Sequence, residues 1–322
     1  MAKYIMENET QNQITETTPP MQQPKKNWIL PASILASALV LAGTLVYTND
    51  RKTGDISQEA SVAGVPTDGI SSLEEDVLPS GGVILPVVWG DLGAKLVSVG
   101  AIDADALMAV YNQRGAFPDE YKELLLGDTS GKLKITKENA GYLLNLFWAL
   151  GLANKNPILE NGEMTDPRYG GAQNFASTGG WTIARGDPME HYSRHKLFNL
   201  TDEEQALVDT VSRGIYRPCC GNSTHFPDCN HGMAMLGLLE LMASQGASED
   251  EMYRAALWVN SYWFPDTYLA IAKYFENRGT DWSEVNAQEV LGAGYSSASG
   301  YRQIRSQIEP VRQQGGGGGC SV

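Results

Sequence analysis

The sequence predicts an all-α protein, a multi-helix bundle domain behind one N-terminal transmembrane helix. Three observations lead to this fold class. An uncharged apolar run, Trp28 to Tyr47, lies near the N-terminus. From about residue 83 onward apolar residues recur at helical spacing, and Ser, Thr or Asp repeatedly stands where it can cap a helix. Sustained alternation of polar and apolar residues, which would indicate strands, is not found in the sequence.

The N-terminal segments are predicted from composition. Residues 1–26 are polar without apolar periodicity, and we expect them to be disordered. Residues 27–48 form the predicted membrane anchor, because about twenty uncharged residues cross the hydrocarbon core as a helix. A cleaved signal peptide is the alternative, but the run lies far from Met1 and lacks an A-x-A site. The expected location is the cell membrane, single-pass, with the C-terminal domain extracytoplasmic.

The rest of the chain divides by composition into a linker, a folded domain and a tail. Gly, Ser, Asp and Glu dominate the predicted linker, and a Gly- and Pro-rich stretch interrupts the domain. The predicted segments are a flexible linker at 49–82, a helical domain at 83–312 with candidate subdomains 83–153 and 181–312 around the loop 154–181, and a flexible Gly-rich tail at 313–322.

The first half of the domain is predicted to contain four helices. Asp91 and Asp103 are positioned to cap two short apolar segments. Pro118 fits the first turn of a third helix. Thr136 precedes a longer helix with a broad apolar face, which we expect to lie in the centre of the core.

In the second half, capping residues mark the helix starts. The sequence Asp187-Pro188-Met189-Glu190 predicts a helix that would place His191 and His195 one turn apart on one face. Capping boxes begin at Thr201 and Ser248, and a further helix is predicted from about Asn230 to Ser244. Pro265 is expected to break the helix that starts at Ser248.

All four histidines and three of the four cysteines lie between residues 191 and 231, which indicates a functional site. Thiolate and imidazole together suit Cu(I) or zinc, so the expected cofactor is copper or zinc. The predicted metal ligands are Cys219, Cys220, His225, Cys229 and His231, with His191, His195, Met233 and Cys320 as accessory candidates. Met235 falls on an apolar stripe with Leu238 and Met242 and is predicted to be core.

Cys229 stands at the predicted start of the helix 230–244, where free amides and the helix dipole stabilise a thiolate. Three roles stay open for it: a metal ligand, a reactive redox thiol, or half of a structural disulfide with Cys219 or Cys220. The spacing C-C-x4-H-x3-C-x-H matches no standard zinc motif. The sequence therefore indicates a site more strongly than it identifies the metal.

Residues 205–265 contain a helix ending in S-R-G-I-Y-R, the motif P-C-C, a helix ending in A-S-Q-G, and then A-S-E-D-E-M. This order resembles the periplasmic thiol-disulfide proteins of cytochrome c maturation, whose L-R-C-x-x-C motif lies between helices of a three-helix bundle. It is also similar to a small bacterial family with a P-C-Y-C-G-C motif. The resemblance implies that Cys219 and Cys220 are active thiols, although C-C here replaces C-x-x-C.

A net charge of −14 argues against nucleic-acid binding, which requires clustered Lys and Arg. The leading hypothesis is a membrane-anchored protein that binds or handles a soft metal ion. The alternatives are a thiol-disulfide oxidoreductase and a structural or interaction module with a stabilising disulfide, so whether the protein is an enzyme stays open. The expected partners are the membrane and a thiol or metal-exchange protein. Cys320 lies on a Gly-rich arm. It is either a thiol that exchanges metal or disulfide with the cluster of Cys219, Cys220 and Cys229, or a free terminal thiol.

Overall fold

A computed structural model describes residues 68–113 and 115–308, which lie in one compact unit. The predicted N-terminal tail, the predicted anchor and Cys320 fall outside these residues. The α-helices are α1 (Asp68–Val77), α2 (Leu92–Ser98), α3 (Ala104–Asn112), α4 (Asp119–Leu126), α5 (Ala140–Ala153), α6 (Pro157–Asn161), α7 (Asp202–Gly214), α8 (Asn230–Ser244), α9 (Glu249–Trp263), α10 (Pro265–Glu276), α11 (Ala287–Leu291), α12 (Ala293–Ser296) and α13 (Ala298–Arg305). The strands are β1 (Val83–Gly90) and β2 (Thr129–Ile135), and single 3-10 turns occur at Glu163–Thr165, Pro167–Tyr169, Ala172–Asn174, Pro188–Glu190 and Trp282–Glu284.

The predicted fold class is wrong, because the structure is mainly helical but not all-α. Strands β1 and β2 pair as an antiparallel two-stranded sheet. Within 68–113 and 115–308, no helix is both long and apolar enough to cross a membrane, and the longest, α8 and α9, have 15 residues each. A helical bundle behind a transmembrane helix is therefore not what the structure shows. The predicted span, Trp28 to Tyr47, lies outside the described residues.

The sequence does not predict the sheet because β1 contains a proline and β2 buries residues in only one half. In β1, Leu85, Val87 and Trp89 are buried and alternate with less buried residues, but Pro86 lies between them. The register shifts between Ile84 and Val88, so the proline falls in an irregular part of the ladder. In β2 the buried residues are confined to its second half.

In the part of the chain that the structure describes, the outer edge of β1 is covered by a side chain rather than by a third strand. The amide nitrogen of Val88 donates to Oε1 of Gln245 at 2.8 Å, and Nε2 of Gln245 donates to the carbonyl oxygen of Val88 at 2.8 Å. The side-chain amide of Gln245 thus supplies the pair of hydrogen bonds that a neighbouring strand would make. Because Gln245 directly follows α8, these bonds also attach the sheet to that helix.

Helices α5 and α8 form the centre of the core and pack antiparallel. Nearly all of their residues are buried, as expected for helices that are apolar on every side. The two backbones touch at glycines: a Cβ at Gly151 would lie 2.1 Å from the carbonyl oxygen of Met233, and one at Gly237 would lie 2.4 Å from that of Phe147. Glycine at both positions is what allows the helices to approach so closely.

Most of the predicted helices are confirmed. Helix α8 spans the predicted residues 230–244, and the capping boxes at Thr201 and Ser248 open α7 and α9 with both reciprocal hydrogen bonds present. The longer helix expected after Thr136 begins at Ala140, after a turn. The helix predicted after Asp187 is limited to the single 3-10 turn Pro188–Glu190.

The domain boundaries differ from those expected from composition. Residues 68–77, placed in the flexible linker, form α1, and Val77 and Leu78 are fully buried. Nζ of Lys137 pairs with Glu74 at 2.6 Å, which ties α1 to the domain. One apolar core extends from α1 to α13, so the two candidate subdomains share it. The loop 154–181 contains α6 and three single 3-10 turns.

Candidate metal centre

The cysteines lie on a loop that the surrounding structure holds in place. Pro218 follows α7 and cannot continue a helix. Tyr216 and Ser223 form an isolated antiparallel bridge, and the amide of Thr224 donates to the carbonyl oxygen of Ile215 at 2.8 Å. From the other side, Ala298 donates its amide to the carbonyl oxygen of Cys220 at 2.9 Å. Backbone hydrogen bonds within the protein therefore hold the loop in place without a bound ligand.

The side chain of Arg217 is the inner support of this loop. Its guanidinium donates to Sγ of Cys229 at 3.1 Å, to the carbonyl oxygens of Asn222 and Phe226 at 3.1 and 3.0 Å, and to Oδ1 of Asp228 at 2.5 Å. Only 1% of the residue is exposed. A buried charge of this kind is stable only when it is paired and fully hydrogen-bonded, and the loop provides both.

Two further residues of the centre, Cys229 and His231, are positioned by the start of helix α8. Cys229 is its N-cap residue, with extended backbone angles, and His231 lies in the first turn. Residues two apart do not face each other inside a helix, but the extended N-cap lets both side chains reach the same space. The ring of His231 packs on Phe264 with centroids 4.4 Å apart. Within the described residues, its buried Nδ1 has no hydrogen-bond partner.

The structure brings four of the five predicted ligands together, in two overlapping groups. The first group is Cys219, Cys229 and His231, and the second is Cys220, Asp228 and Cys229. In each group the ligand atoms lie within 4.8 Å of one another, and Cys229 belongs to both. Sγ of Cys219 is 3.6 Å from Sγ of Cys229, so the three cysteines of the centre are free thiols.

The three cysteines of the centre differ in pKa because their side chains share hydrogen bonds. Donation from Cys219 and Cys220, assisted by Arg217, holds the pKa of Cys229 well below its usual value despite burial. The pKa of Cys219 is raised, chiefly by its contacts with Cys220 and Cys229. The contact with Cys219 lowers the pKa of Cys220, but its bond to Cys229 and burial outweigh this and raise it to about 11. The shared hydrogen bonds therefore favour ionisation of Cys229 over ionisation of Cys219 and Cys220.

His225 lies apart from the two ligand groups. Its Nε2 contacts Oδ1 of Asp209 and Nη2 of Arg213, each at 2.7 Å. Asp209 and Arg213 also pair with each other along α7, and the bond from Arg213, followed by that from His225, lowers the pKa of Asp209. These three residues border a cavity of about 400 Å³ between α6 and α7. His225 thus belongs to a surface network rather than to the thiol cluster.

His191 and His195 are in contact, although the helix predicted for this segment is limited to a single 3-10 turn. Nδ1 of His191 is 3.1 Å from Nε2 of His195, and its Nε2 is 2.9 Å from the carbonyl oxygen of Arg185. A carbonyl only accepts, so Nε2 of His191 carries a proton and, in the neutral ring, Nδ1 accepts from His195. Burial, followed by the neighbouring His191, lowers the pKa of His195. The pair lies within the segment 185–195 and outside the ligand groups.

The two methionines considered at the sequence level are both core residues. Met235 is 1% exposed, as predicted for its apolar stripe, and Met233 is fully buried in the same core. The accessory candidate Cys320 lies outside the described residues.

Three residues that shape the centre are not among the predicted site residues: Arg217, Asp228 and Gly232. Arg217 and Asp228 flank the thiols in the motifs R-P-C-C and D-C, and an Arg beside clustered cysteines is a usable signal for a buried counter-charge. A Cβ at Gly232 would lie 2.5 Å from Cζ of Arg217. Only glycine leaves room for the guanidinium against the first turn of α8.

Comparison with known proteins yields no relative: no family model, no curated protein and no solved structure matches the chain. The resemblance of residues 205–265 to the cytochrome c maturation proteins stays a prediction. The geometry of the centre is therefore the basis for any functional conclusion.

Proposed function

We propose that the protein binds a soft metal ion, copper(I) or zinc, through Sγ of Cys219, Sγ of Cys229 and a ring nitrogen of His231. The observation that carries the proposal is the convergence of these three ligand atoms to within 4.8 Å of one another. Thiolate and imidazole are the donors that copper(I) and zinc prefer, and carboxylate-preferring ions such as Mg²⁺ suit this group poorly.

The sulfur geometry supports binding of one ion by two cysteines. Two sulfurs bound to one zinc at about 2.3 Å with tetrahedral angles are about 3.8 Å apart. Sγ of Cys219 and Sγ of Cys229 are 3.6 Å apart, so little movement is needed.

The exposure of the ligands suggests how an ion would enter. Cys219 is exposed, whereas Cys229 and His231 are 8% and 3% exposed. An incoming ion, or a thiol of a metal-exchange partner, would therefore meet Cys219 before the buried ligands. This arrangement suits exchange of a metal by stepwise ligand substitution.

Metal titration of the full chain is the direct test. The chain, carrying Cys320→Ser to remove the tail thiol, is reduced under anaerobic conditions and titrated with copper(I) or zinc against a chromophoric chelator. We expect one ion per chain, with affinity lowered at least about 100-fold by Cys229→Ser or His231→Ala. His225→Ala and Met235→Leu are the matched controls and should leave affinity unchanged. Absence of binding by the unsubstituted centre would refute the proposal.

A second candidate, thiol-disulfide exchange, is favoured by the close approach of Cys219 to the Cys229 thiolate. In that reaction the thiolate attacks a partner disulfide, releasing one partner thiolate. Cys219, once deprotonated, attacks the mixed disulfide, forms the Cys219–Cys229 bond and releases the second partner thiolate. The burial of Cys229 opposes this role, because the attacking sulfur must reach the partner. Reduction of a small disulfide substrate by the reduced chain, lost in Cys229→Ser, would support it.

A further inference from the structure

The second ligand group of the centre already contains a positive charge. Its members are Cys220, Asp228 and Cys229. The guanidinium of Arg217 donates to two of them, to Oδ1 of Asp228 at 2.5 Å and to Sγ of Cys229 at 3.1 Å. The third, Cys220, is 3.9 Å from the same Asp228 oxygen. Arg217 therefore stands where a second metal ion would bind.

We infer that Arg217 is the resident cation of this second group, and that it makes the centre a one-ion site that prefers copper(I) to zinc. The inference rests on the proposed function and names the class of ion that the site selects. A metal bound by the first group would share Cys229 with the guanidinium, so the two cations would contact the same sulfur.

The restriction to one ion follows from how firmly Arg217 is held. A second ion would have to displace a guanidinium with four hydrogen bonds, buried in the loop. The displaced side chain would lose Asp228 and Cys229 as partners, and a buried charge without partners is strongly unfavourable. Asn222 also holds Asp228 in this arrangement, because its Nδ2 donates to Oδ2 at 2.8 Å.

The preference for copper(I) follows from charge. Two thiolates and a neutral imidazole give a copper(I) complex with a net charge of −1, whereas the corresponding zinc complex is neutral. A guanidinium in contact with one of the sulfurs attracts the anionic complex more strongly than the neutral one. The number of donors acts in the same direction for a structural ion, because structural zinc sites almost always have four protein ligands and the first group offers three.

The test compares two variants of Arg217 in the full chain with Cys320→Ser. Copper(I) and zinc are each titrated anaerobically to give the number of ions per chain and the ratio of the two affinities. Arg217→Gln removes the charge and Arg217→Lys keeps it, while Arg213→Gln is the matched control on α7. We expect one copper(I) per chain in the parent and in the Lys and control variants. In Arg217→Gln we expect a second ion to bind and the copper-to-zinc affinity ratio, corrected for chelator buffering, to fall about tenfold or more.

The parent chain alone can overturn the inference, so the test does not depend on the variants folding. Two ions per parent chain, or an affinity ratio unchanged between the parent and a folded Arg217→Gln variant, would contradict it while leaving the proposed function intact. A parent chain that binds neither ion would instead contradict the proposed function. Helical circular dichroism identifies folded variants before they are titrated.

Discussion

The guanidinium of Arg217 rests against the backbone of Gly232, where a side chain would lie 2.5 Å from Cζ of the arginine. Arg217, which supports the cysteine loop, is therefore in direct contact with the first turn of α8. Because Cys229 and His231 lie between Arg217 and Gly232 in sequence, the position of the loop and the position of the ligands are set together.

Replacing Gly232 with alanine should destabilise the protein and weaken metal binding. The added Cβ forces Arg217 out of its hydrogen bonds, and overpacking of this kind costs about 1–3 kcal/mol. Gly141→Ala is the control, because Gly141 lies in the first turn of α5 with open space around its α-carbon. It should be neutral or slightly stabilising. Denaturant unfolding of both variants measures the difference, and equal stability would mean that Arg217 can move at little cost.

Replacing Gly151 with alanine should disrupt the core more severely than any change at the site. The new Cβ would lie 2.1 Å from the carbonyl oxygen of Met233, and backbone atoms of α8 cannot rotate away. We expect a loss of about 3 kcal/mol or more. Gly294→Ala, in α12 with no atom within 4 Å of its added Cβ, is the matched substitution. A fall in the unfolding free energy of Gly151→Ala no larger than that of Gly294→Ala would contradict the close packing of α5 and α8.

Metal affinity should rise with pH, because binding of the ion releases one proton from a thiol. The hydrogen bonds from Cys219 and Cys220 hold the pKa of Cys229 well below its usual value, so we expect it to be ionised before the metal binds. The pKa of Cys219 is raised by those same thiol contacts, so it must release a proton to bind the ion. Between about pH 7.5 and 9 the affinity should increase about tenfold per pH unit. A dependence on two protons would show that Cys229 is protonated in the metal-free protein.

Glu240 should make the protein less stable as pH rises. It is fully buried on α8, accepts from Nδ2 of Asn154 at 2.8 Å, and burial raises its pKa well above the usual value. The folded state holds the proton that the unfolded state has lost, so stability falls between the unfolded and the folded pKa. Glu240→Gln cannot ionise and should therefore gain stability over the parent at pH 8, with the gain shrinking towards pH 4. A gain independent of pH would contradict this assignment.

Helix α8 shows how far the sequence alone can predict this fold. Its limits, 230 and 244, and the capping boxes at Thr201 and Ser248 are local features, set by residues within one turn of the helix end. The thiols and His231 cluster in sequence as well, so their meeting at the start of α8 is also predictable.

The remaining features depend on contacts that are distant in sequence. Strand β1 forms although Pro86 interrupts its pattern, because the core buries Leu85 and Val87. The separation of His225 from the cluster depends on Asp209 and Arg213, which lie 12 to 16 positions away on α7. The turn after Asp187 stays short despite its good capping residues, because tertiary contacts outweigh local propensity.

The amide of Gln245 has a bearing on how separate copies of this protein behave towards one another. By occupying the polar backbone atoms of Val88, it leaves the outer edge of β1 without free groups at that position. Ile84, 67% exposed on the same strand, would otherwise adjoin an open edge on which a second chain could add as a strand. We therefore expect Gln245 to hinder pairing of β1 with a strand of a second chain, which is a consequence for contacts between molecules rather than for the fold of one chain.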